Sequence, residues 1–107
     1  VVQYINKSKD VMIKANLKTM QTNMVIWMND NKNFSGFEDS PLFQNPKNAI
    51  ENNSNQQVYS GIDSENMKFC AESLLVTENE YCVDSSGFNE FGRCCSGVCQ
   101  PGVSFCP

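Results

Sequence analysis

The chain has no histidine among its 107 residues. Ser-His-Asp and Cys-His nucleophile activation and histidine-ligated metal chemistry are thereby excluded. The acidic residues are spread singly along the sequence rather than paired in an apolar setting, so a carboxylate acid–base pair has no evident seat. The chain is expected not to be an enzyme, and to take no cofactor and no small-molecule substrate. Long hydrophobic runs are missing too: no 18 consecutive apolar residues occur, so nothing within these residues reads as a membrane span. Positive charge is scarce, with eight Lys and Arg against twelve Asp and Glu, a net charge of -4 and a pI near 4.6, which argues against broad nucleic-acid binding. Two absences are local: no glycine or proline precedes Gly36, and no cysteine precedes Cys70.

The first local absence leaves an uninterrupted opening segment, Val1 to Met28. Apolar residues recur in it at steps of three and four (Ile13, Leu17, Met20, Met24, Trp27, Met28), with Val2 and Ile5 ahead of them. That spacing predicts an amphipathic helix, roughly 42 Å long at about 1.5 Å per residue. It ends near Asn29 to Asn33, where residues tolerant of left-handed backbone precede Gly36 and Pro41. No capping Ser, Thr, Asp or Asn stands ahead of Val1, so the helix reads as cut rather than started, and a segment, along with an export signal, is expected upstream. Lys7, Lys9, Lys14 and Lys18 stand against Asp10 alone, whereas Lys47, Lys68 and Arg93 face ten acidic residues from Asn33 onward. A basic stalk carries an acidic head. The lysine stripe is read as a solvated or partner-facing side rather than a phosphate site.

The second local absence concentrates all six cysteines (Cys70, Cys82, Cys94, Cys95, Cys99, Cys106) at the C-terminal end. So many in a short chain predicts a disulfide framework and an exported protein. Reduced thiols or a zinc site are the alternative, but Cys94-Cys95 lacks C-x-x-C spacing and there is no histidine to share a metal.

Between these ends, residues 31–56 read as a connecting loop broken by Pro41 and Pro46, with a short helical turn over Pro46 to Asn52. Phe34, Phe37, Leu42 and Phe43 are too apolar for an idle loop and are expected to pack back on the helix or a sheet edge. The period then becomes two. Gln57–Ile62, Met67–Val76 and Glu80–Asp84 read as strands, joined by turns at Asp63–Asn66 and Glu78–Asn79 into an antiparallel meander over 57–87. Three strands need a helix across one face. A two-residue turn at Glu78-Asn79 would set Cys82 opposite Leu75 and leave Cys70 about five residues further along, roughly 16 Å away. A disulfide spans no more than about 7 Å between Cα atoms, so each is expected to reach into the tail, 88–107, with the pairings open. The predicted architecture is one α+β domain: a helical spine (1–30) on a small antiparallel sheet, with a disulfide-tied C-terminal loop region.

This order of elements resembles bacterial type IV pilins and pseudopilins. The likeness is carried by QYINKSKD running into KANLKTMQTNMVIWMNDNKNF, by the junction NDNKNFSGF, by FCAESL, and by YCVDSSG over Tyr81 to Gly87. It implies a structural subunit whose head is displayed on an extracellular, cell-surface filament cored by N-terminal helices. Its partners would be copies of itself and other pilins, and before assembly the inner membrane, through a hydrophobic half-helix that these residues do not include. A surface receptor or DNA is a further implied partner. Pilins often carry two C-terminal cysteines, and this chain departs from that with six. Contacts in a helical filament are heterologous and do not close. One face of the helix therefore packs its own sheet, assigned to Ile13, Leu17, Met20, Met24 and Trp27. Another packs neighbours, assigned to Val1, Tyr4, Val11 and Ala15. By likeness to pseudopilins, Asp84, Asn89 and Glu90 form a calcium candidate; without it, Asp84-Ser85-Ser86-Gly87 is an Asx turn and no metal is expected.

Two other functions compete. The order C-x11-C-x11-CC-x3-C-x6-C from Cys70 to Cys106 matches the pattern of secreted cystine-knot toxins and inhibitors, although with longer loops. A minor pilin acting as tip adhesin shares the pilin fold, with the cysteine-rich tail facing a receptor.

Overall fold

The computed structural model describes residues 2–63, 68–77, 80–85, 87 and 89–91, and it is α+β. Helix α1, Val2–Asn31, runs unbroken through the stretch that lacks glycine and proline. Its 30 residues span roughly 45 Å, matching the 46 Å long axis of the molecule. Lys32 stops it in left-handed backbone (φ 64°), donating its N–H to the Met28 carbonyl at 2.8 Å. A 3-10 turn follows at Phe37–Asp39, entered through Gly36 at φ 81°. A side chain is unwelcome at Gly36 because the backbone is left-handed; the space beside the Trp27 ring, 3.5 Å from where a Cβ would stand, would admit one.

The expected loop over 31–56 is mostly a second helix. Helix α2, Pro41–Ser54, replaces the brief turn predicted at Pro46 to Asn52. The two prolines misled the reading in different ways. Pro41 occupies the first helical turn, where its missing N–H costs nothing. Pro46 lies inside the helix and cannot donate to the carbonyl of Leu42. Asn23 of α1 supplies the missing donor, its Nδ2 reaching Leu42 O at 2.8 Å. A stripe of Phe43, Pro46, Ile50 and Ser54 turns inward, and Asn55 (φ 61°) terminates the helix.

Strands β1 (Val58–Asp63), β2 (Lys68–Leu74), β3 (Glu80–Asp84) and β4 (Asn89–Phe91) form one antiparallel sheet in the order β1-β2-β3-β4. The short β4 falls in the stretch assigned to the tail; the rest of 88–107 lies outside the described residues. Register corrects a second expectation. Cys82 pairs with Glu72 rather than Leu75, and Cys70 with Asp84. The β2–β3 connection is therefore longer than two residues, because β2 stops at Leu74 and the next backbone groups leave the ladder. Asp10 of α1 collects them, accepting the N–H of Val76, the N–H of Thr77 at 3.1 Å and the Thr77 hydroxyl.

The core lies between α1, α2 and one face of the sheet. Ile13, Leu17 and Met20 from α1 are fully buried with Phe37, Ile50, Phe69, Ala71 and Val83. Phe37 is the hub, its ring 5.2 Å from Phe69, 5.6 Å from Phe43 and 6.0 Å from Trp27, so one residue of the 3-10 turn joins β2, α2 and α1. The tilted and edge-to-face geometry favours each pair by about 0.5–1.5 kcal/mol beyond burial. Helix α1 as a whole meets α2 more extensively than any strand. Cys70, Glu72, Cys82 and Asp84, on the opposite sheet face, are buried too.

Candidate functional site

Helix α1 has two faces with opposite fates. Of the row assigned to packing the head, Ile13, Leu17, Met20 and Met24 are buried and Trp27 is half-buried against the aromatic cluster. The Trp27 indole N–H is buried without a hydrogen-bond partner among the described residues. Three polar ties fix this side to the sheet: Asp10 to Val76 and Thr77, Lys14 Nζ at 5.5 Å over the Tyr81 ring, and Gln21 Nε2 to Asp84 O at 2.9 Å. Together with the Asn23 bond to Leu42 of α2, they hold the helix along its middle. Among the described side chains of α1, which begin at Tyr4, the first buried one is Asp10.

The other face carries exposed apolar residues interleaved with polar ones. Tyr4 is 76% and Val11 66% exposed, and Ala15 is exposed beside them. The side chain of Val1, the fourth member of the assigned row, lies outside the described residues. The row extends further than its assignment: Val25 and Ile26 are exposed on the same side, and Ile5, about 100° round the helix from Tyr4, is exposed as well. Their signal was available in the spacing, since Val25 continues the steps of three and four from Tyr4 through Val11 and Ala15. Intervening polar residues (Ser8, Lys18, Thr22) obscured it.

Charge is laid out against the grain of the helix. A helix favours anions near its N-terminus and cations near its C-terminus. Here the exposed Lys7 and Lys18 and the half-buried Lys9 and Lys14, with Asp10 among them, all lie ahead of Thr19, and exposed Asp30 stands in the last turn. The pattern does not stabilise α1 by itself.

The calcium candidate does not converge. Asn89 pairs with Val83, the strand neighbour of Asp84, and adjacent strand positions point to opposite faces. The Glu90 side chain lies outside the described residues. No group of three His, Cys, Asp or Glu suited to a metal occurs among the described residues. Cys70 and Cys82 are both disulfide-bonded. Their register makes them diagonal neighbours, roughly 7–8 Å apart at Cα. Cys94, Cys95, Cys99 and Cys106 lie outside the described residues. No helix is long and apolar enough to cross a membrane among the described residues.

No family model, no curated protein and no solved structure matches this chain.

Proposed function

We propose that this chain is the displayed head of a type IV pilin-like structural subunit, assembled into an extracellular filament through the outer face of α1. One observation carries the reading. A helix as long as the molecule buries one side in its own head and leaves Tyr4, Val11, Ala15, Val25 and Ile26 open on the other. A lone head gains nothing from such a row, and apolar stripes of this kind support association. In this reading the partners are other copies of the chain and related pilins, and the subunit is held in the inner membrane before assembly by a hydrophobic segment ahead of Val1. Its role is structural rather than catalytic. Cross-links from the C-terminal cysteines to Cys70 and Cys82, side by side on the buried outer face of the sheet, belong to the same reading.

The cystine-knot alternative draws less support. Toxins and inhibitors of that kind depend on cross-links in place of a core, whereas here Ile13, Leu17, Phe37, Ile50 and Phe69 make a core without any cysteine. A tip adhesin shares the assembly surface and differs in what the head touches.

The test is a Tyr4→Ala, Val11→Asp double variant in the full-length protein of the native cell. The head should keep its unfolding midpoint, and electron microscopy with antibody against the head should find no labelled filaments. Unchanged labelled filaments would overturn the proposal.

A further inference from the structure

We infer that Asn33 is an N-glycosylation site, taking its glycan from an oligosaccharide carried on a polyprenyl diphosphate. The inference rests on the export proposed above and not on assembly. Disulfide bonding at Cys70 and Cys82 supports an oxidising compartment.

The acceptor pattern Asn-x-Ser, with no proline in the middle, occurs three times: Asn6-Lys7-Ser8, Asn33-Phe34-Ser35 and Asn52-Asn53-Ser54. In a chain this rich in asparagine the pattern arises by chance, so the sequence does not choose among them. The fold does. A transferase acting on the folded head must reach the asparagine carboxamide and the hydroxyl two residues on from one side. Residues two apart on a helix stand roughly 200° round the axis and face opposite ways. Asn6 and Ser8 lie within α1, and Asn6 is half-buried. Asn52 and Ser54 lie within α2, where the buried Ser54 hydroxyl donates to Ile50 O at 2.6 Å and accepts the Gln56 N–H at 3.2 Å. Neither pair presents both groups.

Asn33 and Ser35 stand in the connection between α1 and the 3-10 turn, bracketed by the left-handed Lys32 and Gly36. Both are exposed, while Phe34 between them is 2% exposed, its ring 6.1 Å from that of Phe69. The core thus anchors the middle residue and turns its neighbours outward. The Asn33 carboxamide folds towards Ser35 as an Asx turn, its Oδ1 accepting the Ser35 N–H at 2.9 Å and its Nδ2 donating to Asn31 O at 3.2 Å. No group among the described residues bonds the Ser35 hydroxyl.

Transfer joins Asn33 Nδ2 to the anomeric carbon of the sugar. The bond from that carbon to the phosphate oxygen breaks, the diphosphate leaves with the electron pair, and the amide gives up one proton. Nδ2 keeps one hydrogen and Oδ1 keeps its bond to Ser35, so a bulky hydrophilic group is added at the surface without displacing the core. Val11 lies roughly 30 Å back along α1, so the glycan leaves that end of the outer row open.

The test is made on full-length protein recovered from the outside of its native cells, digested and analysed by mass spectrometry with electron-transfer fragmentation. The peptide carrying Asn33 should exceed its sequence mass by whole sugar residues, with the increment on Asn33 and none on Asn6 or Asn52. Asn33→Gln and Ser35→Ala should each remove the increment, and Ser35→Thr should keep it. Ser35→Ala leaves the backbone bond to Asn33 in place, so the loss reports the hydroxyl rather than the turn. An unmodified Asn33, an increment on Asn6 or Asn52 in its stead, or a Ser35→Ala chain that still carries the sugar would overturn the site. Filaments built from the unmodified chain would do so while leaving the filament reading standing, whereas a chain found only inside the cell would remove the export on which both rest.

Discussion

Two side chains on α1 do work that residue type alone does not announce. Asp10 is 4% exposed and accepts from two backbone N–H groups and a hydroxyl at the end of β2. Hydrogen bonds to a charged group contribute about 1.5–3 kcal/mol, and buried donors left without a partner add their desolvation cost. Asp10→Ala is therefore expected to lower stability by about 3 kcal/mol in urea denaturation, whereas Ser8→Ala, exposed two positions earlier, should change it by less than about 0.5. Asn23 poses a sharper question, because it stands in for a donor that Pro46 lacks. Asn23→Ala should cost about 1–2 kcal/mol by leaving the Leu42 carbonyl unpaired. With Pro46→Ala in place, the new N–H can bond Leu42 within α2, and the same Asn23→Ala change should cost less than half as much. A double-mutant cycle with equal costs in both backgrounds would show that Asn23 acts otherwise.

At the scale of elements, the long helix and the three main strands were legible because period and composition agree in them. The stretch without glycine or proline is α1, and the alternating stretches are β1 to β3 within a residue or two of their expected ends. Helix α2 was not legible, because its mid-helix proline is tolerated through a partner 23 positions away in sequence. The β2–β3 register failed for the same reason: Asp10, remote in sequence, draws Val76 and Thr77 off the ladder. Local signals cannot report a distant acceptor or donor. Of the candidate surface, Tyr4, Val11 and Ala15 could be placed by spacing, while Val25 and Ile26 were masked by the polar residues between. Phe37 shows how strongly a short element can count. Its ring touches α1, α2 and β2 from a 3-10 turn of three residues. Phe37→Ala should cost about 3–5 kcal/mol and loosen all three elements together, visible as one cooperative transition at a lower midpoint and loss of the near-ultraviolet signal of Trp27.

For the molecule as a whole, the question is which part of α1 serves the head and which serves something else. The ties from Asp10 onward are spaced along the helix, and the core row begins at Ile13. Ahead of Asp10, none of residues 4–9 is fully buried, yet they are helical. As a continuation of α1 this stretch gains about one backbone hydrogen bond per residue ordered, which roughly balances the ordering and adds little more. Among the described residues the head buries none of these side chains, and a neighbour packed along them would. Exchanging Tyr4 and Ile5 for serine is the clean experiment, because it keeps the length of helix ahead of Asp10 and removes the two large exposed apolar side chains there. Head stability should shift by no more than about 0.5 kcal/mol, and the protein should stop assembling. A drop of several kcal/mol would instead assign those residues to the fold of the single molecule, and the outer row would lose its strongest claim to a partner.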